Sequence, residues 1–104
     1  MNRNDTIKRI KKALRKRTGR PWSVTGGRGT AYGWLTIKAV KKYAADGRGE
    51  LTAEDRQYLA DILGLDRPAH HQGELIPSSN AYYQEYIDRA EGRKPSVIGR
   101  PYWA

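Results

Sequence analysis

The chain of 104 residues has no cysteine and no phenylalanine, one methionine and two histidines. Without cysteine, disulfides and thiolate metal sites are excluded, which suits a reducing compartment and makes a cytoplasmic protein the default expectation. No run approaches the roughly 18 apolar residues of a spanning helix, and no apolar stretch follows the cation-rich start to make a secretory signal. No membrane partner is expected. His70 and His71 are neighbours, and adjacent residues in extended chain point opposite ways, so the two could not easily share a metal. One of them as a general base, or paired with Glu74, is the chemical option that remains beside a solvent-facing or structurally bonded histidine. No serine or threonine sits in a nucleophile elbow and no H-E-x-x-H occurs. The carboxylates Glu54 with Asp55, and Glu85 with Asp88, read as helix caps and solvated faces. We therefore expect no enzyme, no metal and no cofactor.

What is present is charge and polar aromatics. Charged residues make up 30% of the chain and apolar ones 38%, with seven Tyr and three Trp supplying the aromatic area. A chain of this length carries one core, so a single domain over residues 1–104 is expected. Residues 1–5 and 93–104 read as flexible or docking tails, with Tyr102 and Trp103 favouring docking. The net charge of +9 is uneven: residues 1–50 sum to +11 and residues 51–104 to −2. Such asymmetry points to a cationic face aimed at a polyanion, nucleic acid first and an acidic protein surface second. A basic surface kept for solubility is the plain alternative.

Along the chain, Ile7, Ile10 and Leu14 recur at helical spacing with Ala13 beside them, predicting a helix over roughly Thr6–Arg17 capped by Asn4 or Asp5. Its other positions are cationic, including Arg9, Lys12, Arg15 and Lys16; Gly19 and Pro21 stop it. The stretch W-S-V-T-G-G-R-G-T-A-Y-G-W-L-T-I (22–37) reads as a β-hairpin. Pairing Trp22 with Ile37 and Val24 with Leu35 places these four on one face, and Ser23, Thr25, Trp34 and Thr36 on the other. Gly26, Gly27, Gly29 and Gly33 then crowd a loop tipped by Arg28 and Tyr32. The strand runs on to about Ala39, followed by irregular or helical chain stopped at Gly47. Residues 45–55 mimic a calcium loop, but Arg48 falls where an anionic ligand is needed, so calcium is rejected. A second helix is expected over Ala53–Leu63, capped by Thr52 with Asp55 closing a capping box, its core side formed by Tyr58, Leu59, Ile62 and Leu63. Gly73–Pro77 is a short extended segment. A third helix covers about Ala81–Glu91, capped by Ser79 or Asn80, burying Tyr83, Tyr86, Ile87 and Ala90 while Tyr82, Glu85 and Asp88 lie elsewhere. The fold class is α+β: a basic N-terminal helix, a glycine-looped hairpin and two further helices packed on the sheet.

The T-G-G-R-G-T run lacks the lysine and the following helix of a Walker loop, yet successive glycine amides can form an anion nest. Gly26, Gly27 and Gly29 are thus candidate phosphate ligands with Arg28. Arg9, Lys12, Arg15, Lys16, Arg20, Lys38 and Lys42 supply charge. Tyr32 and Trp34 either stack unpaired bases or form a second cluster under the tail. Four to six phosphate contacts imply a log–log salt slope of about −4 to −5 on duplex DNA. No recognised reader motif is present, so no sequence specificity is expected. The hairpin core, followed by L-T-A-E-D-R and Y-Y-Q-E-Y-I-D-R-A-E-G-R, resembles a group of short uncharacterised bacterial proteins. That resemblance implies one intact small domain and no particular activity.

Overall fold

The computed structural model describes residues 3–46, 48–78, 82–95 and 99–104. The first helix, α1 (Arg3–Thr18), leads into β1 (Trp22–Gly26) and β2 (Leu35–Ala39). α2 (Ala53–Leu63), β3 (Glu74–Ile76), α3 (Tyr82–Ala90) and β4 (Tyr102–Trp103) follow. The four strands form one antiparallel sheet in the order of the chain. The α+β class and the basic N-terminal helix stand as expected.

Alternation along the strands decides what is inside. Trp22, Val24, Leu35, Ile37, Ala39, Leu75 and Trp103 point to one face and are buried with Ile10 and Leu14 of α1, Leu59 and Leu63 of α2, and Tyr86 and Ile87 of α3. The helices therefore cover one face, and Ser23, Thr25, Thr36, Lys38, Glu74, Ile76 and Tyr102 occupy the other. Both innermost tryptophans satisfy their indole N–H: Trp22 Nε1 donates to Thr18 Oγ1 at 2.9 Å and Trp103 Nε1 to the Arg67 carbonyl at 3.0 Å.

Several expectations are corrected. The hairpin pairs Val24 with Ile37 and Trp22 with Ala39, two residues away from the expected register. A shift of two keeps every side chain on its expected face, and it sets the small Ala39 opposite the large indole. It also moves Trp34 off the strand into the loop, where its carbonyl accepts from Gly27 N at 3.0 Å. Asn4 and Asp5 are not caps but lie within the first turn of α1, where an acid suits the positive helix end. Of the two readings of the tails, docking is the one seen at the C-terminal end, where Pro101 and Trp103 are buried as β4 joins the sheet, and residues 3–5 are helical. Tyr58 stands 37% exposed, to one side of the inward line of Leu59 and Leu63. Gly47, Ser79, Asn80 and Ala81 lie outside the described residues.

α2 keeps its expected bounds. Thr52 Oγ1 accepts from Asp55 N at 3.1 Å, and Gly64 closes the helix at φ 71°, a conformation that costs glycine little. The expected capping box is not closed from the other side: the Asp55 carboxylate accepts from Arg20, and among the described residues no bond runs to it from the Thr52 N–H.

Candidate polyanion-binding surface

α1 buries Thr6, Ile10, Ala13 and Leu14 against β1 and α3, which turns its remaining faces outward. Lys8, Lys11, Lys12, Arg15 and Lys16 are all exposed. At about 100° per residue they fall within an arc of roughly 140°. Among the described residues no carboxylate lies within ion-pair distance of any of them. None of the five belongs to the hydrophobic core.

Other candidate cations are spent at home. Arg9 forms a bidentate pair with Glu91, Nε to Oε2 at 2.8 Å and Nη2 to Oε1 at 3.0 Å, with its side chain still 41% exposed. Hydrogen bonds from Arg9 and then Arg93 hold the Glu91 carboxyl below its ordinary range. Arg20 is held inside the fold rather than gathered with the helix cations. It pairs with Asp55 at the start of α2 and lies over the rings of Trp22 (4.4 Å) and Tyr43 (4.9 Å), clamping three segments together. Arg17 donates to the carbonyls of Ile62, Arg89 and Ala90, capping the ends of α2 and α3. Lys38 is half-buried on the sheet face opposite α1 and so is not gathered with the helix cations. Lys42 is exposed, its ammonium 5.6 Å from the Tyr43 ring.

Two grooves flank the cationic row, and Lys12 borders both. One, of about 750 Å³, runs between α1 and the end of α3 and carries Arg9, Lys16, Arg17 and Arg93 with Glu91 as its one acid. The other, of about 430 Å³, lies between α1 and the strands, lined by Lys11, Arg15, Pro21, Trp22 and Val40. Val40 leads directly into the 3-10 turn Lys41–Tyr43, so the exposed Lys41 and Lys42 continue from the groove wall.

The hairpin loop answers to its own chain first. Arg3 donates to the carbonyls of Gly27 and Tyr32 and lies 4.0 Å from the Tyr32 ring centroid. A side chain at Gly26 would meet Arg3 at 3.0 Å, and one at Gly27 would run into the Ala31 carbonyl. At Gly33 it would meet the Tyr82 ring at 3.0 Å. Gly27 N is already bonded to Trp34, so this amide is not available to a phosphate. The candidate phosphate loop is thereby corrected at Gly27, whose amide is taken, while Gly26 makes room for the Arg3 side chain. Gly29 differs, with φ 58° and open space around it, beside the exposed Arg28. Tyr32 is 50% exposed with one ring face taken by Arg3, and Trp34 is half-buried.

Sequence reasoning missed the internal ion pairs of α3. Glu85 and Asp88 are 2% and 5% exposed, contrary to expectation. Arg89 pairs with Glu85 at 3.0 Å and Arg93 with Asp88 at 2.8 Å, and burying a carboxylate requires such partners. The available signal was the i, i+4 spacing of Glu85 and Arg89. His70 and His71 are exposed, and no three metal-ligating residues converge among the described residues. No described helix is long and apolar enough to cross a membrane. No protein-family model, curated protein or solved structure matches the chain.

Proposed function

We propose that the protein is a cytoplasmic, non-enzymatic binder of nucleic acid, gripping phosphates through the outer face of α1 without reading sequence. The single observation behind this reading is the row Lys8, Lys11, Lys12, Arg15 and Lys16, exposed on one side of one helix with no ion pair to a described carboxylate. Charges unused by the fold keep their full attraction for an outside anion. Each neutralised phosphate releases condensed counterions, so three to five contacts give a log–log salt slope of about −3 to −4.5 on duplex DNA. The withdrawal of Arg20 and Lys38 is why this range is shallower than the charge count suggests. Lys42, Arg28 and the free face of Tyr32 are secondary contacts, and the Arg9 pair opens only partly toward the groove.

Titration of generic duplex and single-stranded DNA and RNA at several salt concentrations tests the reading. Micromolar or tighter binding with that slope is expected. No binding at about 50 mM salt would overturn it, because a phosphate-driven interaction is strongest there. Recovery of a defined acidic protein under the same conditions would instead make the chain a small accessory adaptor or inhibitor whose cationic face covers an acidic surface of a larger complex.

A further inference from the structure

At the opposite edge of the sheet from β1, about 14 Å away across three strand spacings, a third concave surface has a different composition. The chain leaving α2 and the final strand β4 enclose a cleft of about 500 Å³, within the range of small-ligand sites. Arg56, Arg67 and Arg100 line it together with His70, Tyr102 and Trp103. Asp66 is the one carboxylate on the wall, and among the described residues no acid lies within ion-pair distance of the three guanidiniums.

This wall is held in place. Arg56 Nε donates to the Ala69 carbonyl at 2.6 Å, which fixes the plane of its guanidinium. The Arg67 carbonyl accepts from Trp103 Nε1 at 3.0 Å, tying that loop to β4. Arg100 has φ 88°, the single non-glycine residue in the left-handed region among the described residues. It also precedes Pro101, and a residue before proline is normally extended. Such a conformation persists only where both flanks are pinned. Gly99 N donates to the two oxygens of the buried Glu85 at 3.1 and 3.2 Å, and Pro101 is buried. The chain thus spends conformational energy to present Arg100 at the cleft.

We infer that this cleft binds a nucleoside phosphate, its phosphate on the guanidiniums of Arg67 and Arg100 and its base against Tyr102. Guanidiniums suit phosphate because their planar N–H groups donate in pairs, and a guanidinium–phosphate bond is charge-assisted. The cleft exceeds the needs of a bare anion, and Tyr102, 56% exposed, offers an aromatic face to a planar ring. The inference does not rest on the α1 reading, since none of the cations lining this cleft belongs to α1.

Calorimetric titration of the full chain with ATP, adenosine and inorganic phosphate tests it. ATP is expected to saturate below about 1 mM, with adenosine and phosphate at least about tenfold weaker. Arg100→Gly should lose about tenfold or more in ATP affinity while its Tm holds or rises, because glycine relieves the positive φ. Arg67→Ala, at an exposed position, should lose a similar factor, and reversal of Lys12, Arg15 and Lys16 to Glu should leave ATP binding unchanged. Failure to bind ATP, phosphate binding as tight as ATP, or affinity unchanged in both arginine variants would overturn the assignment. So would equal loss in the α1 variant, which would place ATP on that helix instead.

Discussion

The outer face of α1 and the C-terminal end of α3 carry the same kinds of side chain and use them in opposite ways. On α1, Lys8, Lys11, Lys12, Arg15 and Lys16 stand in solvent with no carboxylate partner among the described residues. At the end of α3, Arg89 is only 10% exposed, bonded to Glu85 and to the Leu63 and Gly64 carbonyls that end α2. Arg93 pairs with both Asp88 and Glu91, and Arg17 reaches across from α1 to the same helix ends. A count of cations is therefore a poor guide to what a partner meets. Position relative to buried acids and helix termini decides whether a guanidinium holds the fold or faces outward.

Removing a cation from the α3 side should cost stability and leave binding alone. Arg89→Ala takes the guanidinium from the buried Glu85, which keeps the Gly99 N–H, and frees two helix-end carbonyls, an expected loss of about 3–5 kcal/mol in chemical denaturation. A loss under about 1 kcal/mol would mean that solvent reaches the carboxylate. The converse holds on α1. Reversing Lys12, Arg15 and Lys16 to Glu should weaken DNA binding by at least about 100-fold and flatten the salt slope, with the circular dichroism melt little changed. If the melt collapses instead, the row belongs to the fold and the contrast fails.

The hairpin loop tests where the interface ends. Gly27→Ala pushes a methyl into the Ala31 carbonyl and should cost about 1–3 kcal/mol, with DNA affinity unaltered in the folded protein. An affinity drop without loss of stability would restore the loop amides as phosphate ligands. The tyrosines of α3 give a smaller, pH-dependent effect. Burial, with help from the neighbouring Tyr82 and Tyr32, pushes Tyr83 up to about 12, and burial followed by the charge of Glu85 pushes Tyr86 higher still. A raised folded value means the neutral phenol is favoured. That stabilisation is complete below the ordinary tyrosine value of about 10 and is lost as pH climbs through the folded values. Phenolate absorbance should therefore keep growing beyond the ordinary tyrosine range, in step with unfolding; completion by about pH 11 would show both rings open to water.

The smallest expected effect sharpens the comparison at its border. Glu91→Gln releases Arg9 into the groove beside Lys12 while Arg93 stays on Asp88, so DNA affinity should rise by about two- to three-fold at low salt. The same carboxyl is held below its usual range, so its pairing with Arg9 is complete above about pH 4.3 and fails only as pH falls through the lower folded value. Unchanged affinity in Glu91→Gln would mean that this groove takes no part in binding.

Local signals were legible where the chain decides alone. Thr52 before α2 and Gly64 after it set that helix to the residue, because a cap needs only its own turn. The inward face of the hairpin was legible from Trp22, Val24, Leu35 and Ile37, since alternation survives a shift of two. The register itself was not legible, because it depends on how residues 27–34 fold back through a bond between Gly27 and Trp34. Nor could the sequence reveal that Gly26 faces Arg3 and Gly33 faces Tyr82, contacts that bring together residues far apart in the chain.

By itself, the order of residues determined the three helices and the hairpin, the apolar stripe of α1 and the surplus of positive charge in the first half; the final strand, read as a tail, was not among them. Periodicity, capping and composition act over a few residues and need no partner. The allocation of that charge belonged to the tertiary structure. Folding carried Asp55 to Arg20, Glu91 to Arg9 and the ends of α2 and α3 to Arg17, because buried carboxylates and exposed carbonyl ends must find donors wherever the chain brings them. The lysines and the arginine left over are those that no such demand reached.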